Sequence, residues 1–307
     1  MGNAFIKEST LTDIANAIRT KTGGTDLLLP SQMVDAILSI GGGGGIETVS
    51  WADGTDEQIA AMVQAADEGK INLADYWHVG DERTVQLSAM TGNWNTQNSE
   101  VTRAKTTVIP RAPSGGNAVF ESHIAQSATL VLMDSVCTGF TLATATSGGK
   151  TKPNFLIGLK NSLSEMGSMN SSATNANGWS GCARRTWCND IFRSSISESL
   201  RGIFKQFKWK QGQGGGATSG LLETTDYFGL APEKAIYGTR TYSQTDEAAL
   251  YEQWEWYKTS MNDSEYIWLC SPDTSNSDAF CSVVPSSGVV RGYIATVACS
   301  IAPFGCI

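Results

Sequence analysis

The chain has 307 residues, a length at which a protein buries a large core without help from disulfides. Its 22 basic and 30 acidic side chains give a net charge of −8, which argues against a general nucleic-acid binder because such proteins need a basic surface. Nine Trp, eight Tyr and ten Phe exclude a chain that is disordered over most of its length.

The beginning of the chain and the cysteines indicate a protein made in a cytoplasm. Residues 1–20 carry charged side chains and no apolar signal-peptide core, so we expect no secretory leader. No stretch approaches the roughly 18 apolar residues of a membrane span, so we expect no membrane insertion. Seven scattered cysteines, an odd number, favour reduced and buried thiols, with a Cys182–Cys188 bridge as the alternative.

Residues 1–40 are predicted to form a helical attachment or oligomerisation segment. Thr10 can cap a first helix, which Gly23 ends, and Ser31 can cap a second helix over residues 31–40. The first helix has an apolar stripe made of Leu11, Ile14, Ala15 and Ile18. Helices this short are marginal alone in water, so either the rest of the chain or further copies of it must cover them; an unstructured leader is the alternative.

Residues 41–70 are predicted to connect that segment to the rest of the chain. Gly41–Gly45 are five successive glycines, a composition typical of a flexible hinge. Thr55 and Gln58 have the spacing of a capping box, which predicts a helix that ends near Gly69.

Residues 71–307 are predicted to form an α+β domain. Short β-like stretches alternate with polar Gly, Ser, Thr and Asn loops, and helices interrupt them. The predicted strands are Arg83–Leu87, Thr129–Met133, Phe155–Gly158, Tyr266–Leu269, Ala279–Val284 and Val289–Ala295. The predicted helices are Arg184–Arg193, a helix that starts at Ser197, and Thr245–Tyr257.

No catalytic residue, metal site or cofactor is predicted. His78 and His123 are the only histidines, and no cysteine or histidine pair has zinc-ligand spacing. We expect both histidines to be partly buried and structural. The G-x-S-x-G motif of serine hydrolases is absent. The sequence has no EF-hand spacing, but its many Asp and Asn residues leave a calcium site as an open alternative.

Lysines alternate with aromatic residues over residues 204–210, a pattern that can bind single-stranded nucleic acid. The aromatic residues Phe204 and Phe207 fall at helical spacing with Leu200 and Ile203. We therefore expect one helix with a buried aromatic face and a solvated basic face, and no nucleic-acid partner.

Several ordered motifs resemble proteins of phage tails. Ser9–Gly23 and Pro30–Ile37 resemble a short N-terminal segment of tail and tail-fibre proteins from phages of Gram-positive hosts. Most of residues 71–307 resembles an uncharacterised domain family frequent in phage and prophage tail genes. The stretches that carry this resemblance are Asp75–Leu87, Gly178–Trp187, Thr225–Phe228, Pro232–Lys234 and Ala302–Ile307.

The C-terminal part of that family resembles the C-type-lectin-like fold of proteins that diversity-generating retroelements diversify. The resemblance implies a rigid scaffold that displays variable side chains between Trp268 and Ala302. The implied framework is Trp268, Ser271, Pro272, Ala279, Phe280, Gly288, Ala302, Pro303 and Phe304. The implied ligand-binding residues are Asp273, Ser275, Asn276, Ser277, Asp278, Ser282, Val284, Ser286, Ser287, Arg291, Tyr293 and Thr296. Alternation along Ala279–Val284 would point every second side chain outward.

The resemblance implies an adhesin of the phage tail fibre or tail tip that binds a host-surface glycan or protein and is not an enzyme. Its further partners would be other tail proteins and, in a homotrimer, two more copies of itself, and its location would be the virion. One alternative is a decoration or assembly protein without a host ligand. The other is a lectin-fold modifying enzyme, which would need an open, paired thiol site among Cys270, Cys281 and Cys299.

Overall fold

The computed structural model describes residues 8–22, 46–88, 90–92, 121–122, 126–134, 140–255, 266–297 and 299–307. The chain divides into two units, residues 1–48 and 49–307. The predicted second helix over residues 31–40, the Gly41–Gly45 hinge, His123 and Cys137 lie outside the described residues. Within the described ranges, no helix is long and apolar enough to cross a membrane.

The helices in the described residues are short, and the side chains of Thr55 and Ser197 cap two of them. They are α1 (Glu8–Thr22), α2 (Asp56–Asp67), α3 (Ala183–Thr186), α4 (Arg193–Ser195), α5 (Glu198–Ile203), α6 (Glu233–Tyr237) and α7 (Thr245–Leu250). A π-helical turn, Trp187–Phe192, joins α3 to α4, and 3₁₀ turns lie at Leu73–Asp75 and Gly178–Gly181.

The strands alternate with these helices along the chain. They are β1 (Glu82–Leu87), β2 (Thr91–Gly92), β3 (Glu121–Ser122), β4 (Gln126–Met133), β5 (Thr141–Leu142), β6 (Leu156–Leu159), β7 (Leu163–Gly167), β8 (Phe207–Gly212), β9 (Leu221–Asp226), β10 (Phe228–Gly229), β11 (Ile267–Pro272), β12 (Ala279–Val284), β13 (Val289–Ile294), β14 (Cys299–Ile301) and β15 (Phe304–Cys306).

Two five-stranded sheets carry most of the second unit. The first has the antiparallel order β1-β4-β6-β15-β10. The second has the order β13-β12-β11-β14-β7, in which only the β11–β14 pair is parallel. A smaller sheet has the order β5-β8-β9. Helices and sheets in one unit confirm the predicted α+β class.

Every predicted strand coincides with an observed strand to within a few residues, and the Thr55–Gln58 capping box is present. Two of the predicted helices have different bounds in the structure. Helix α1 begins at Glu8, before the predicted cap at Thr10. Helix α7 ends at Leu250 because Tyr251 is extended, and its buried hydroxyl donates to the carbonyl of Lys210. Packing against β8 therefore overrides the helical periodicity that continues to Tyr257 in the sequence.

The helix predicted for the basic and aromatic stretch at residues 204–210 is wrong. Helix α5 ends at Ile203, and Phe207–Gly212 is strand β8. Phe207 and Trp209 are buried, whereas Lys208 and Lys210 are exposed, as alternation along a strand requires. The aromatic side is part of the core, as expected, but the period is that of a strand.

A cluster of aromatic rings forms the centre of the second unit. The Phe140 ring stacks on Trp209 at 5.5 Å between centroids, and Phe304 meets Phe140 edge-on at 5.6 Å. Trp254 contacts Phe304 at 5.0 Å. Phe304, Cys306 and Ile307 are all buried, so this segment is part of the core.

Helix α2, which the sequence places in a connector, is part of the second unit. The Arg83 guanidinium is buried and donates to the carbonyl of Trp51 at 3.1 Å and to the carboxylate of Asp56. Ser199 in α5 donates to Glu57 at 3.0 Å. The compact unit that contains α2 starts at residue 49.

A buried carboxyl group lies behind strand β11. Glu247 in α7 accepts a hydrogen bond from Ser271 at 3.1 Å, while its Oε2 atom is buried without a partner among the described residues. Burial, together with the neighbouring Glu233 carboxylate, raises the pKa of Glu247 to about 8. The folded protein therefore holds a proton on Glu247 at neutral pH.

We expect Glu247→Gln to stabilise the protein increasingly as the pH rises. The unfolded chain loses the Glu247 proton near pH 4.5, whereas the folded chain keeps it until about pH 8, so the parent loses stability across this range. The variant, which mimics the protonated group, should match the parent at pH 4 and exceed it by about 2–5 kcal/mol at pH 8. Denaturant unfolding measures this difference, with exposed Glu252→Gln as the control. A constant difference from pH 4 to pH 8 would contradict the assignment.

Candidate functional site

The predicted ligand-binding residues lie on three connected pieces of the second sheet. These are the turn between β11 and β12, the turn between β12 and β13, and β13 with the residues that follow it. Ser275, Asn276, Ser277, Asp278, Ser286, Ser287 and Arg291 are exposed, and Val284, Tyr293 and Thr296 are half-buried. We call these ten residues the display surface.

Two of the predicted residues, Asp273 and Ser282, are buried and do not belong to the display surface. The Asp273 carboxylate accepts hydrogen bonds from the backbone and the hydroxyl of Ser275 at 2.7 and 2.6 Å. A Cβ atom at Gly292 would overlap this carboxylate, so the glycine lets β13 approach it. Ser282 donates to the carbonyl of Arg291 at 3.3 Å, across the β12–β13 pair. Both side chains therefore position the backbone.

The predicted alternation along β12 is wrong. Residues 279–283 are all buried, and only Val284 at the end of the strand is partly accessible. Strand β12 lies between β11 and β13 in the middle of the sheet, and both of its faces are covered. The strand that exposes its side chains is β13, which lies at the edge of the sheet.

The predicted framework residues are buried, with one exception. All are buried except Gly288: Trp268, Ser271, Pro272, Ala279, Phe280, Ala302, Pro303 and Phe304. Gly288 lies in the β12–β13 turn with a φ angle of 69°, a conformation that favours glycine, and its amide donates to the carbonyl of Val284 at 2.9 Å.

One buried amide side chain fixes the turn between β11 and β12. The Nδ2 atom of Asn175 lies 2.9, 3.1 and 2.6 Å from the carbonyl oxygens of Asp273, Asn276 and Ala279. Its backbone amide donates to the carbonyl of Ser277 at 2.7 Å. The turn carbonyls consequently point inward, and the side chains of residues 275–278 point to solvent.

Asn175 also holds the loop between β8 and β9, which contains Gly214 and Gly215. The Oδ1 atom of Asn175 accepts a hydrogen bond from the amide of Gly215 at 2.7 Å. Gly214 has a φ angle of 66°, and a Cβ atom there would overlap the carbonyl oxygen of Asn175. A glycine is thus required where this loop approaches the asparagine.

The edge strand β13 adds apolar contact area that the sequence analysis missed. The side chains of Ile294 and Val297 are 44% and 38% exposed. Ile294 is the last residue of β13 and lies on the face opposite to Arg291 and Tyr293, whereas Val297 lies beyond the strand. The Tyr293 ring packs edge-on against Tyr266 at 4.9 Å. Alternation along an edge strand could have indicated Ile294, but only the sheet order shows that β13 is the edge.

The described cysteines and histidine give no reactive site. Cys182, Cys188, Cys270, Cys281, Cys299 and Cys306 are buried and unbridged. Burial raises the pKa of the Cys270 and Cys281 thiols well above the ordinary value, which keeps them protonated. The side chain of His78 is 73% exposed, so its predicted partial burial is wrong. Within the described residues, no three His, Cys, Asp or Glu side chains are arranged to hold a metal ion.

No protein-family model, curated protein or solved structure matches this chain. The case for a function therefore depends on the geometry of the display surface and on the residues below it.

We expect Asn175→Ala to loosen the turn between β11 and β12. The substitution removes the Asn175 donor from the buried carbonyl of Asp273 and the Asn175 acceptor from the Gly215 amide. The carbonyl of Ala279 loses one of its two donors and keeps the amide of Asp273 at 3.0 Å. The free energy of unfolding should fall by at least about 2 kcal/mol, and hydrogen exchange of the turn amides should accelerate. Asn72→Ala, which removes one exposed hydrogen bond to Asp75, is the control and should change stability by less than about 0.5 kcal/mol. Unchanged exchange in Asn175→Ala would refute this role.

Proposed function

We propose that the protein is an adhesin of a phage tail fibre or tail tip that binds a host cell-surface receptor through the display surface. In this proposal residues 71–307 have a C-type-lectin-like fold, and the protein resides in the virion after synthesis in the host cytoplasm. It is a binding protein and not an enzyme. The motifs of the phage tail family, from Asp75–Leu87 to Ala302–Ile307, give the proposal its biological setting.

The observation that carries the proposal is the separation of exposed side chains from the residues that fix their backbone. Asn175, Asp273 and Ser282 are buried and hydrogen-bonded to the backbone of the site, whereas Ser275–Asp278 are exposed. Substitution of Ser275 removes its hydroxyl hydrogen bond to Asp273 but keeps the one from its backbone amide, and substitution of the other exposed side chains leaves the hydrogen bonds of Asn175, Asp273 and Ser282 in place. A surface of this kind can change its ligand without losing its fold.

The chemistry of the display surface suits recognition of another molecule. Ser and Asn supply adaptable hydrogen bonds, and Tyr293 and Arg291 supply contact area with a polar tip. Ile294 and Val297 also expose apolar side chains that can be covered by a bound receptor. The surface can therefore contact either a glycan or a protein receptor.

Several copies on one virion would strengthen a weak single site. We propose that the helical segment at residues 1–40 joins the copies to one another, as a homotrimer, and to other tail proteins. Two or more linked sites can exceed the affinity of one by about 10²–10⁴. A display surface of ordinary affinity would then be enough for stable attachment.

The test is adsorption of the fluorescently labelled full chain to intact cells and purified cell walls from a panel of Gram-positive bacteria. We expect saturable adsorption to a subset of strains. A variant with Asn276→Ala, Arg291→Ala and Tyr293→Ala should adsorb at least about tenfold more weakly, because it removes polar and aromatic contacts from the β11–β12 turn and from β13.

The matched control is a variant with Lys152→Ala and Glu198→Ala, two exposed positions outside the display surface, which should adsorb like the parent. Circular dichroism establishes that each variant is folded. Folded parent protein that adsorbs to no strain, or that adsorbs equally well without the three display residues, would contradict the proposal. The first result would favour a decoration or assembly protein.

A further inference from the structure

A polar pocket of about 290 Å³ lies between the helical segment 183–195 and the connection from β9 to β10. Arg185, Asn189, Asp190 and Arg193 line it from the helical side, and residues 225–227 line it from the strand side. No aliphatic side chain is among its described lining residues. The one aromatic ring is Tyr227, and the Arg193 guanidinium covers its face at 3.7 Å. The pocket thus suits a small polar ligand and not an apolar one.

The helical side of the pocket is a π-helical turn, Trp187–Phe192. Turns of this type are rare and occur frequently at functional sites, because they widen the helix and redirect side chains. Asn189 uses this position to accept hydrogen bonds from the amides of Tyr227 and Phe228 at 2.7 and 3.1 Å. It also donates to the carbonyl of Phe228 at 3.0 Å. One side chain therefore joins both walls of the pocket.

The buried Asp226 carboxylate lines the pocket, and both of its oxygen atoms already accept hydrogen bonds from the protein. Asp226 Oδ2 accepts hydrogen bonds from the indoles of Trp179 and Trp209 at 3.1 and 2.7 Å and from Thr224 at 2.6 Å. Asp226 Oδ1 accepts from Arg185 Nε at 2.7 Å. Since these donors use the Asp226 carboxylate, it holds the pocket in shape and does not face a ligand.

Two charged side chains that line the pocket, Arg193 and Asp190, have no side-chain hydrogen-bond partner among the described residues. The Arg193 guanidinium stacks on Tyr227 and has no hydrogen-bond acceptor among the described residues. The side chain of Asp190, three residues earlier, is exposed and has no donor within the same described ranges. The stacking holds Arg193 in place before a ligand arrives, which reduces the entropy that binding costs.

We propose that this pocket binds a sugar unit that carries one anionic group, either a carboxylate or a phosphate. Arg193 pairs with the anionic group through its planar fork of donors, and Asp190 accepts hydrogen bonds from sugar hydroxyls. The free hydroxyl and amide groups of Thr186 and Gln206 at the rim complete a hydrogen-bonding lining.

Charge and size both favour an acidic sugar over a bare anion. The Asp190 carboxylate repels a small, highly charged ion but pairs well with hydroxyl groups. The volume of about 290 Å³ is at the lower end of ligand pockets and holds a molecule of monosaccharide size. None of the pocket residues belongs to the display surface, so this proposal and the proposed adhesin function can fail independently.

The test is a ligand-observed NMR titration of the full chain with single sugars. The acidic probes are glucuronic acid, galacturonic acid and glucose 6-phosphate, and the references are glucose, galactose and inorganic phosphate. At least one acidic sugar should bind about tenfold or more tightly than its neutral parent and than inorganic phosphate. The uronic acids and the sugar phosphate separate the two sources of negative charge.

Variants assign the binding to the pocket. Arg193→Gln should weaken acidic-sugar binding at least about tenfold, to the level of the neutral sugar, and Arg193→Lys should give a smaller loss because it keeps the charge without the fork. Asp190→Asn should weaken neutral and acidic sugars alike. Arg291→Gln, on the display surface, is the control and should bind like the parent.

Three results would overturn the proposal. The first is that acidic sugars bind the parent protein no more tightly than neutral sugars do. This comparison needs no variant. The second is unchanged binding in folded Arg193→Gln or, if that variant does not fold, in Arg193→Lys. The third is loss of binding in Arg291→Gln, which would place the sugar on the display surface instead.

Discussion

The turn between β11 and β12, which carries four of the ten residues of the display surface, depends on the side chain of Asn175. Its amide group reaches the carbonyls of Asp273, Asn276 and Ala279, and its oxygen accepts from Gly215. A single buried side chain thereby holds a turn more than ninety residues further along the chain. Each of these groups would be costly to leave without a partner in the interior, so the turn has one favoured backbone conformation.

Because the turn carbonyls point inward, the side chains of the display surface carry little of the folding energy. Substitutions at exposed positions usually change stability by less than about 0.5 kcal/mol, whereas loss of a buried hydrogen-bonding group costs several times more. Buried residues hold the backbone, and exposed residues contribute little to stability. This separation is the physical basis for proposing a recognition surface here.

The sequence predicted what local patterns determine and missed what distant partners determine. The Thr55–Gln58 capping box and strand β12 follow from neighbouring residues, and both are present. Asp273 and Ser282 look like exposed polar residues in sequence, but the approach of Gly292 and the pairing with β13 bury them. In the same way, the tertiary position of β8 overrides a helical spacing. The polar pocket combines the Gly178–Trp187 and Thr225–Phe228 motifs, whose adjacency only the fold reveals.

The most direct measurement compares two variants by calorimetric unfolding. One replaces the seven exposed display residues, Ser275, Asn276, Ser277, Asp278, Ser286, Ser287 and Arg291, with alanine. The other replaces only Asp273 and Ser282 with alanine. We predict that the first variant unfolds cooperatively within about 2 kcal/mol of the parent, and that the second loses more stability although it changes fewer residues. A first variant that loses more stability than the second would contradict the account, because the exposed side chains would then hold the backbone themselves.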